Sequence, residues 1–235
     1  MSLTPSAPIT FALVHGAWHG AWCWQKLQPL LEAAGHRVVA IDLPIEDPAA
    51  TFDDYANVVT TALEGHDNII LVGHSRGGNV IPRVANLIAV RRLVYLCAPV
   101  PLFEGPEVAG VLAGAPTRNT PQFRQAILHA DDGLTIFDPA QAPAVFYNDC
   151  SPKVSTWATK QLRKQRAFSA HLPAITRPAA PASYILCEHD HVIYPEWSDY
   201  IARNLLMAEP VRLAADHSPF LSQPQLLAEA LLVLI

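Results

Sequence analysis

This 235-residue chain is poor in charge: charged residues make up 16% of it, and acidic side chains outnumber basic ones 21 to 16. The resulting net charge of −5 gives no footing for a nucleic-acid backbone or an anionic membrane surface. Long apolar runs are missing too, since none approaches the roughly 18 residues that a membrane helix needs. The first ten residues lack the basic and apolar regions of a secretory signal. Cysteine is scarce, and Cys23, Cys97, Cys150 and Cys187 are widely scattered. That spacing suits free, mostly buried thiols in a reducing compartment rather than a disulfide framework. Together these absences predict a cytoplasmic protein, and there is no internal repeat or long low-complexity segment.

What is present is a chain that is 51% hydrophobic, enough to build the core of one α/β domain with an insertion. Strands are expected near 9–14, 37–41, 68–73, 92–97, 182–187 and 210–214. Helices are expected near 20–34, 53–64, 77–89, 196–206 and 222–233. This alternation implies a mostly parallel sheet of about six strands, covered on both faces. Between Pro99 and Pro181 the alternation breaks and prolines recur, while Pro121 to Ala130 and Ser155 to Phe168 have helical character. The expected organisation is core 1–98, a helical cap 99–181 returning through the linker Pro173 to Pro181, and core 182–235.

The most informative stretch is Ile69-Ile70-Leu71-Val72-Gly73-His74-Ser75-Arg76-Gly77-Gly78. A β-branched run leads into G-x-S-x-G, and helical spacing follows at Val80, Ile81, Val84, Leu87 and Ile88. A serine hydroxyl is a weak nucleophile unless it is held clear of the backbone beside a base, and glycines flanking Ser75 permit such an elbow. Partners follow in the order Ser, Asp, His. Asp190 lies after the strand candidate 182–187, and His217 lies after the short strand 211–214, both at the carboxyl edge where chemistry collects. Asp216 is a rival acid, but a residue adjacent to the base seldom turns back to its Nδ1. Backbone amides for an oxyanion are expected from Arg76, which follows the serine, and from Ala17 in the turn after the first strand.

The chain carries ten histidines, and most fit other roles. His36, His66, His129 and His171 are expected to be structural or solvated, and His74 to pack under the elbow. His189 and His191 flank Asp190 without a second ligand cluster, and His15 with His19 lacks the Glu of H-E-x-x-H, so no metal site is expected.

The segments Phe11-Ala-Leu-Val-His-Gly-Ala-Trp-His-Gly-Ala-Trp22, Leu27 to His36, Ile41-Asp-Leu43 and the elbow closely resemble the α/β-hydrolase superfamily. The branch they match contains hydroxynitrile lyases, plant methyl-ester esterases and bacterial esterase relatives. The segment Asp190 to Glu196 and the pair Asp216-His217 resemble that branch's acid and base segments. The resemblance implies the α/β-hydrolase fold with a catalytic triad of Ser75, Asp190 and His217. Lyases of the branch carry Thr and Lys where this chain has Gly16 and Ser218. Losing the lysine leaves departing cyanide unstabilised, so ester hydrolysis through an acyl-enzyme is favoured over cyanohydrin cleavage. Lactone or carbon–carbon bond hydrolysis and a vestigially active receptor are the alternatives.

The partner is then a small-molecule ester, with no metal or organic cofactor, and the resemblance makes a homodimer plausible. Substrate choice should fall to the cap and the oxyanion turn, with Gly16, Trp18, Phe137, Phe146 and Trp157 as pocket candidates. Phe103, Phe123 and Tyr147 could serve either pocket or cap core, and Trp22 suits helix packing. The run Arg163-Lys164-Gln165-Arg166 suits a solvated helix face, whereas the Arg76 side chain could reach a salt partner or an acidic substrate.

Overall fold

A computed structural model describes residues 7–168 and 172–235, which leaves His171 outside the described residues. Four strands open the fold: β1 (Thr10–Val14), β2 (Arg37–Ile41), β3 (Ile69–His74) and β4 (Arg92–Leu96). Three short strands follow in the insertion: β5 (Ile127–His129), β6 (Leu134–Phe137) and β7 (Gln165–Arg166). The main sheet is completed by β8 (Ala182–Cys187) and β9 (Val211–Leu213). Its six strands run in the order β2-β1-β3-β4-β8-β9, and all neighbours are parallel. Every residue of β1 and β3 is buried, which explains why they are continuous apolar runs rather than alternating ones.

The helices between strands bury one stripe each. Helix Phe52–Ala62 opens on a capping box, with the Thr51 side chain on the Asp54 amide and Asp54 returning to the Thr51 backbone. It buries Phe52, Tyr55, Ala56 and Val59, positions that share one face at 3.6 residues per turn. The helix expected over 20–34 is split into a 3-10 turn, Ala21–Lys26, and an α-helix, Gln28–Ala33. The segment after the elbow divides in the same way, into Ser75–Asn79 and Ile81–Ala85. In both, a proline at the start of the α-helix removes an amide that continuous helix would need. Among the described residues no helix is long and apolar enough to cross a membrane.

The insertion between β4 and β8 corrects the expectation of a helical cap, because strands are built into it as well. It holds a three-stranded antiparallel sheet, β5-β6-β7, beside short helices. The helix expected over 121–130 stops at Gln125 and gives way to β5, and the one expected over 155–168 covers only Pro152–Gln161. The run 163–166 is therefore not a helix face. The Arg163 amide donates to Trp18 O at 2.8 Å, and its guanidinium reaches Asp42 Oδ2 at 2.8 Å and Leu43 O at 2.9 Å. Arg166 donates its amide to Ile45 O at 2.8 Å and a guanidinium nitrogen to Ala50 O. These residues tie the insertion to loops at the carboxyl edge of β1 and β2.

Candidate active site

The chain leaves β1 toward β2 on one side and returns to β3 on the other, so the loops after β1 and β3 diverge and open a crevice. Ser75 stands at the end of β3 with φ 46°, a left-handed conformation that costs a non-glycine residue roughly 1–3 kcal/mol. Close packing holds it there. A Cβ on Gly77 would lie 2.6 Å from the carbonyl oxygen of Val14 and 3.0 Å from that of His15, so the turn can sit against β1 only because position 77 has no side chain.

His217, in the loop after β9, lies with its ring centroid 4.7 Å from that of His74, the residue before Ser75. Its Nδ1–H donates to Asp190 Oδ2 at 2.8 Å, and both side chains are sealed from solvent. The other Asp190 oxygen accepts the amides of Val192 at 2.7 Å and Ile193 at 3.0 Å, fixing the carboxylate on a tight turn. Nε2 of His217 is buried and has no partner among the described residues. Asp216 is committed elsewhere: Oδ1 accepts from the Ser218 amide and Ser222 Oγ, and Oδ2 from the Asp149 amide.

Two buried histidines shape the turn after β1. His15 Nδ1–H donates to Gly16 O at 2.8 Å while its Nε2 accepts the Leu43 amide at 3.0 Å. His19 Nδ1–H donates to Ala17 O at 2.7 Å, and its Nε2 accepts from the Tyr147 hydroxyl at 2.9 Å. Across a trans peptide the carbonyl and the following N–H point in opposite directions. Anchoring Gly16 O on His15 therefore turns the Ala17 N–H away from that ring, and Ala17 lines the same cavity as Ser75. Burial drives the His15 pKa down to about 4 and that of His19 to about 3, which keeps both rings neutral and able to accept as well as donate. The Arg76 amide lies in the first turn of the 3-10 segment, where backbone N–H groups have no intrahelical acceptor.

Ala17, Ser75 and Arg76 line one cavity of about 640 Å³, closed from the insertion side by Phe123, Arg118 and Phe168. Of the expected pocket residues Trp18 reaches its wall, while Gly16 lines a small separate void beneath. Gly16 instead permits contact: a Cβ there would lie 2.8 Å from Ser75 Cβ. Phe137, Phe146 and Trp157 do not line the cavity. Phe137 and Phe146 are buried against each other at 4.1 Å, behind Trp18, and Trp157 packs edge-on to Trp22 at 5.3 Å. Aromatic packing of the insertion onto the first-strand loop consumes them.

The family pattern described as alpha/beta hydrolase matches residues 11–230. The chain belongs to the alpha/beta hydrolase family. Methylesterase 2 of Arabidopsis thaliana is 28% identical over 253 residues, covering 95% of each chain. Norfluorocurarine synthase 1 of Strychnos nux-vomica is 30% identical over 259 residues, covering 94% of this chain and 93% of the relative. The crystal structure of a pyrethroid hydrolase from Sphingobium faniae superposes with a TM-score of 0.75 at 27% identity, covering 97% of both chains. The sequence resemblance to the esterase branch of the family therefore holds.

Within this alpha/beta hydrolase, several cavity residues escape sequence reading. Arg118 comes from a loop paired with the segment after Asp190: Tyr194 donates its amide to Arg118 O at 2.9 Å, and Asn119 bridges Ile193. Such pairing joins positions more than seventy residues apart and leaves no local pattern. His189 and His191 turn outward, to Asp149 Oδ2 at 2.7 Å and Ala144 O at 2.8 Å. Among the described residues one trio, Cys97, Asp190 and His217, brings ligand atoms within 4.8 Å. Burial raises the Cys97 pKa well above the ordinary thiol range, and Asp190 already accepts three hydrogen bonds.

Proposed function

We propose that the protein hydrolyses small carboxylic esters through an acyl-enzyme on Ser75. The observation that carries this reading is the division of labour on His217: Nδ1 is locked to Asp190 while Nε2 stays unpartnered, in a ring 4.7 Å from that of His74, the residue before the strained Ser75. The names of relatives that act on methyl esters support the same chemistry.

Ser75 Oγ attacks the ester carbonyl as Nε2 of His217 takes its proton, and Asp190 stabilises the imidazolium without accepting that proton. The amides of Ala17 and Arg76 receive the oxyanion, each donor contributing about 3 kcal/mol to the barrier reduction. Collapse expels the alcohol with the proton from Nε2. Water then repeats the attack on the acyl-serine, releasing the acid and restoring Ser75. Gly16, which lets the oxyanion turn approach the serine, and Ser218, which stands where a lyase has lysine, favour hydrolysis over cyanohydrin cleavage.

Turnover of 4-nitrophenyl acetate, together with labelling by a fluorophosphonate mapped by peptide mass, tests this. Wild type should turn over and carry the adduct on Ser75, and Ser75→Ala should do neither. Retained turnover in Ser75→Ala would overturn the reading.

A further inference from the structure

The cavity beside Ser75 is lined by Arg76, Arg118 and Arg124, and among its described lining residues none is acidic. This is a local excess of positive charge in a protein whose net charge is −5, so it does not follow from overall composition. Arg76 is the unusual member. Its guanidinium lies between the rings of Trp18, at 5.7 Å, and Phe168, at 5.3 Å. Nη1 is sealed from solvent and has no hydrogen-bond partner among the described residues. Nε of Arg92 and of Arg163 is buried without a partner too, but the rest of each of those guanidinium groups is engaged, Arg92 on Ser183 Oγ and Arg163 on Asp42 and Leu43 O, and Arg83 binds Asp53 at 2.9 Å and Asn79 O at 2.6 Å. Arg118 rests on Trp197 at 5.8 Å and spends Nε on Asn119 Oδ1, leaving the rest of its fork uncommitted to any described residue.

A cation held away from water without a counter-ion destabilises the fold, and two of them sharing one cavity repel. Desolvation and the nearby Arg118 pull the Arg76 pKa down to about 10, which still leaves it charged at neutral pH. Aromatic faces compensate a guanidinium only in part, and its planar fork is matched by a carboxylate. The position is also informative. Arg76 and Ser75 line the same cavity, so an anion on that side chain would share the cavity with a carbonyl on Ser75.

Resting on the ester-hydrolysis reading, we infer that the cavity selects esters that carry a free carboxylate, the half-esters of short dicarboxylic acids, with Arg76 binding that carboxylate and Arg118 assisting. Aromatic walls at Trp18 and Phe123 hold the spacer between the two ends, and the exposed Arg124 lies along the approach.

The test compares monomethyl esters of C3 to C6 dicarboxylic acids with their neutral isosteres, in which an amide replaces the free acid. Wild type should prefer the charged member about tenfold or more in kcat/KM, with an optimum at one spacer length and a preference that shrinks as salt is added. Arg76→Gln should lower the charged-to-neutral ratio at least tenfold, Arg118→Gln should lower it less, and Arg76→Lys should restore part of it. A ratio near one in wild type, or one unmoved by Arg76→Gln, overturns the inference while leaving ester hydrolysis standing. Calorimetry with glutarate on Ser75→Ala separates the two readings. Binding to Ser75→Ala that is lost on adding Arg76→Gln upholds the anion site, and if wild type turns over none of the esters the same result overturns the hydrolysis reading alone.

Discussion

The imidazole of His74, one residue before Ser75, donates Nε2–H to the carbonyl oxygen of His217 over 2.9 Å. The elbow thus grips the backbone of the loop that carries His217. Burial pushes the His74 pKa well below the ordinary range, so the ring makes this hydrogen bond in its neutral form. Replacing His74 with Phe keeps the ring and leaves the carbonyl unpaired, at a cost of about 1–3 kcal/mol. We expect kcat to fall with little change in KM, partial rescue by His74→Gln, and a lower urea midpoint for the Phe variant.

Ser75→Ala removes the hydroxyl but keeps a Cβ at φ 46°, whereas Ser75→Gly removes the strain as well. Both variants should be inactive. The glycine variant should be the more stable by about 1 kcal/mol in chemical denaturation. Equal stability of the two would mean that the elbow stores no strain.

Gly77→Ala places a methyl group 2.6 Å from the Val14 carbonyl, a backbone atom inside the sheet that cannot step aside. A loss of about 1–3 kcal/mol is expected, together with reduced activity because Ser75 would shift. Thermal unfolding and ester turnover check both parts.

Asp190→Asn and Asp216→Asn separate the two carboxylates. The first removes the acceptor of His217 Nδ1–H and should lower kcat by about 10⁴-fold with little effect on KM. The second weakens hydrogen bonds to Ser218, Ser222 and Asp149, so it should lower stability far more than it slows the chemical step. Comparable kcat losses from both would remove the distinction.

His15, His19 and His74 give stability a pH dependence. Their folded pKa values lie below the ordinary 6.5, at about 4 for His15 and about 3 for His19. Between those values and 6.5 the unfolded chain holds more protons than the folded one, so stability is full above pH 6.5 and falls as the pH drops. Each histidine contributes a slope of up to about 1.4 kcal/mol per pH unit. Asp216, whose pKa burial raises, works in the opposite sense and offsets part of the loss at the acid end. Urea midpoints from pH 7.5 to 4.5 should decline steadily; a flat profile would contradict neutral buried rings.

The main sheet was legible because its inner strands β1, β3, β4 and β8 are buried almost throughout and so stand out as apolar runs; all six strands lie within a few residues of where the sequence puts them. Ser75, Asp190 and His217 sit at strand ends, and the same topology that makes the runs readable delivers these residues to one edge. The insertion was not legible. Its strands are two to four residues long, below the length at which alternation can be distinguished from noise. The pocket wall failed for a related reason. An aromatic residue such as Phe137 looks the same in sequence whether it faces a cavity or another phenyl ring, and only long-range packing decides.

The insertion and the turn after β1 are joined at Trp18. Its carbonyl accepts the Arg163 amide, and its indole N–H reaches Thr135 Oγ1, which in turn donates to Gln165 O. Its backbone sits at φ 58°, next to the amide of Ala17. The insertion that walls the cavity is therefore mechanically continuous with the turn that carries Ala17. Grafting another relative's insertion onto this sheet would alter rate together with selectivity, so the two properties must change in step.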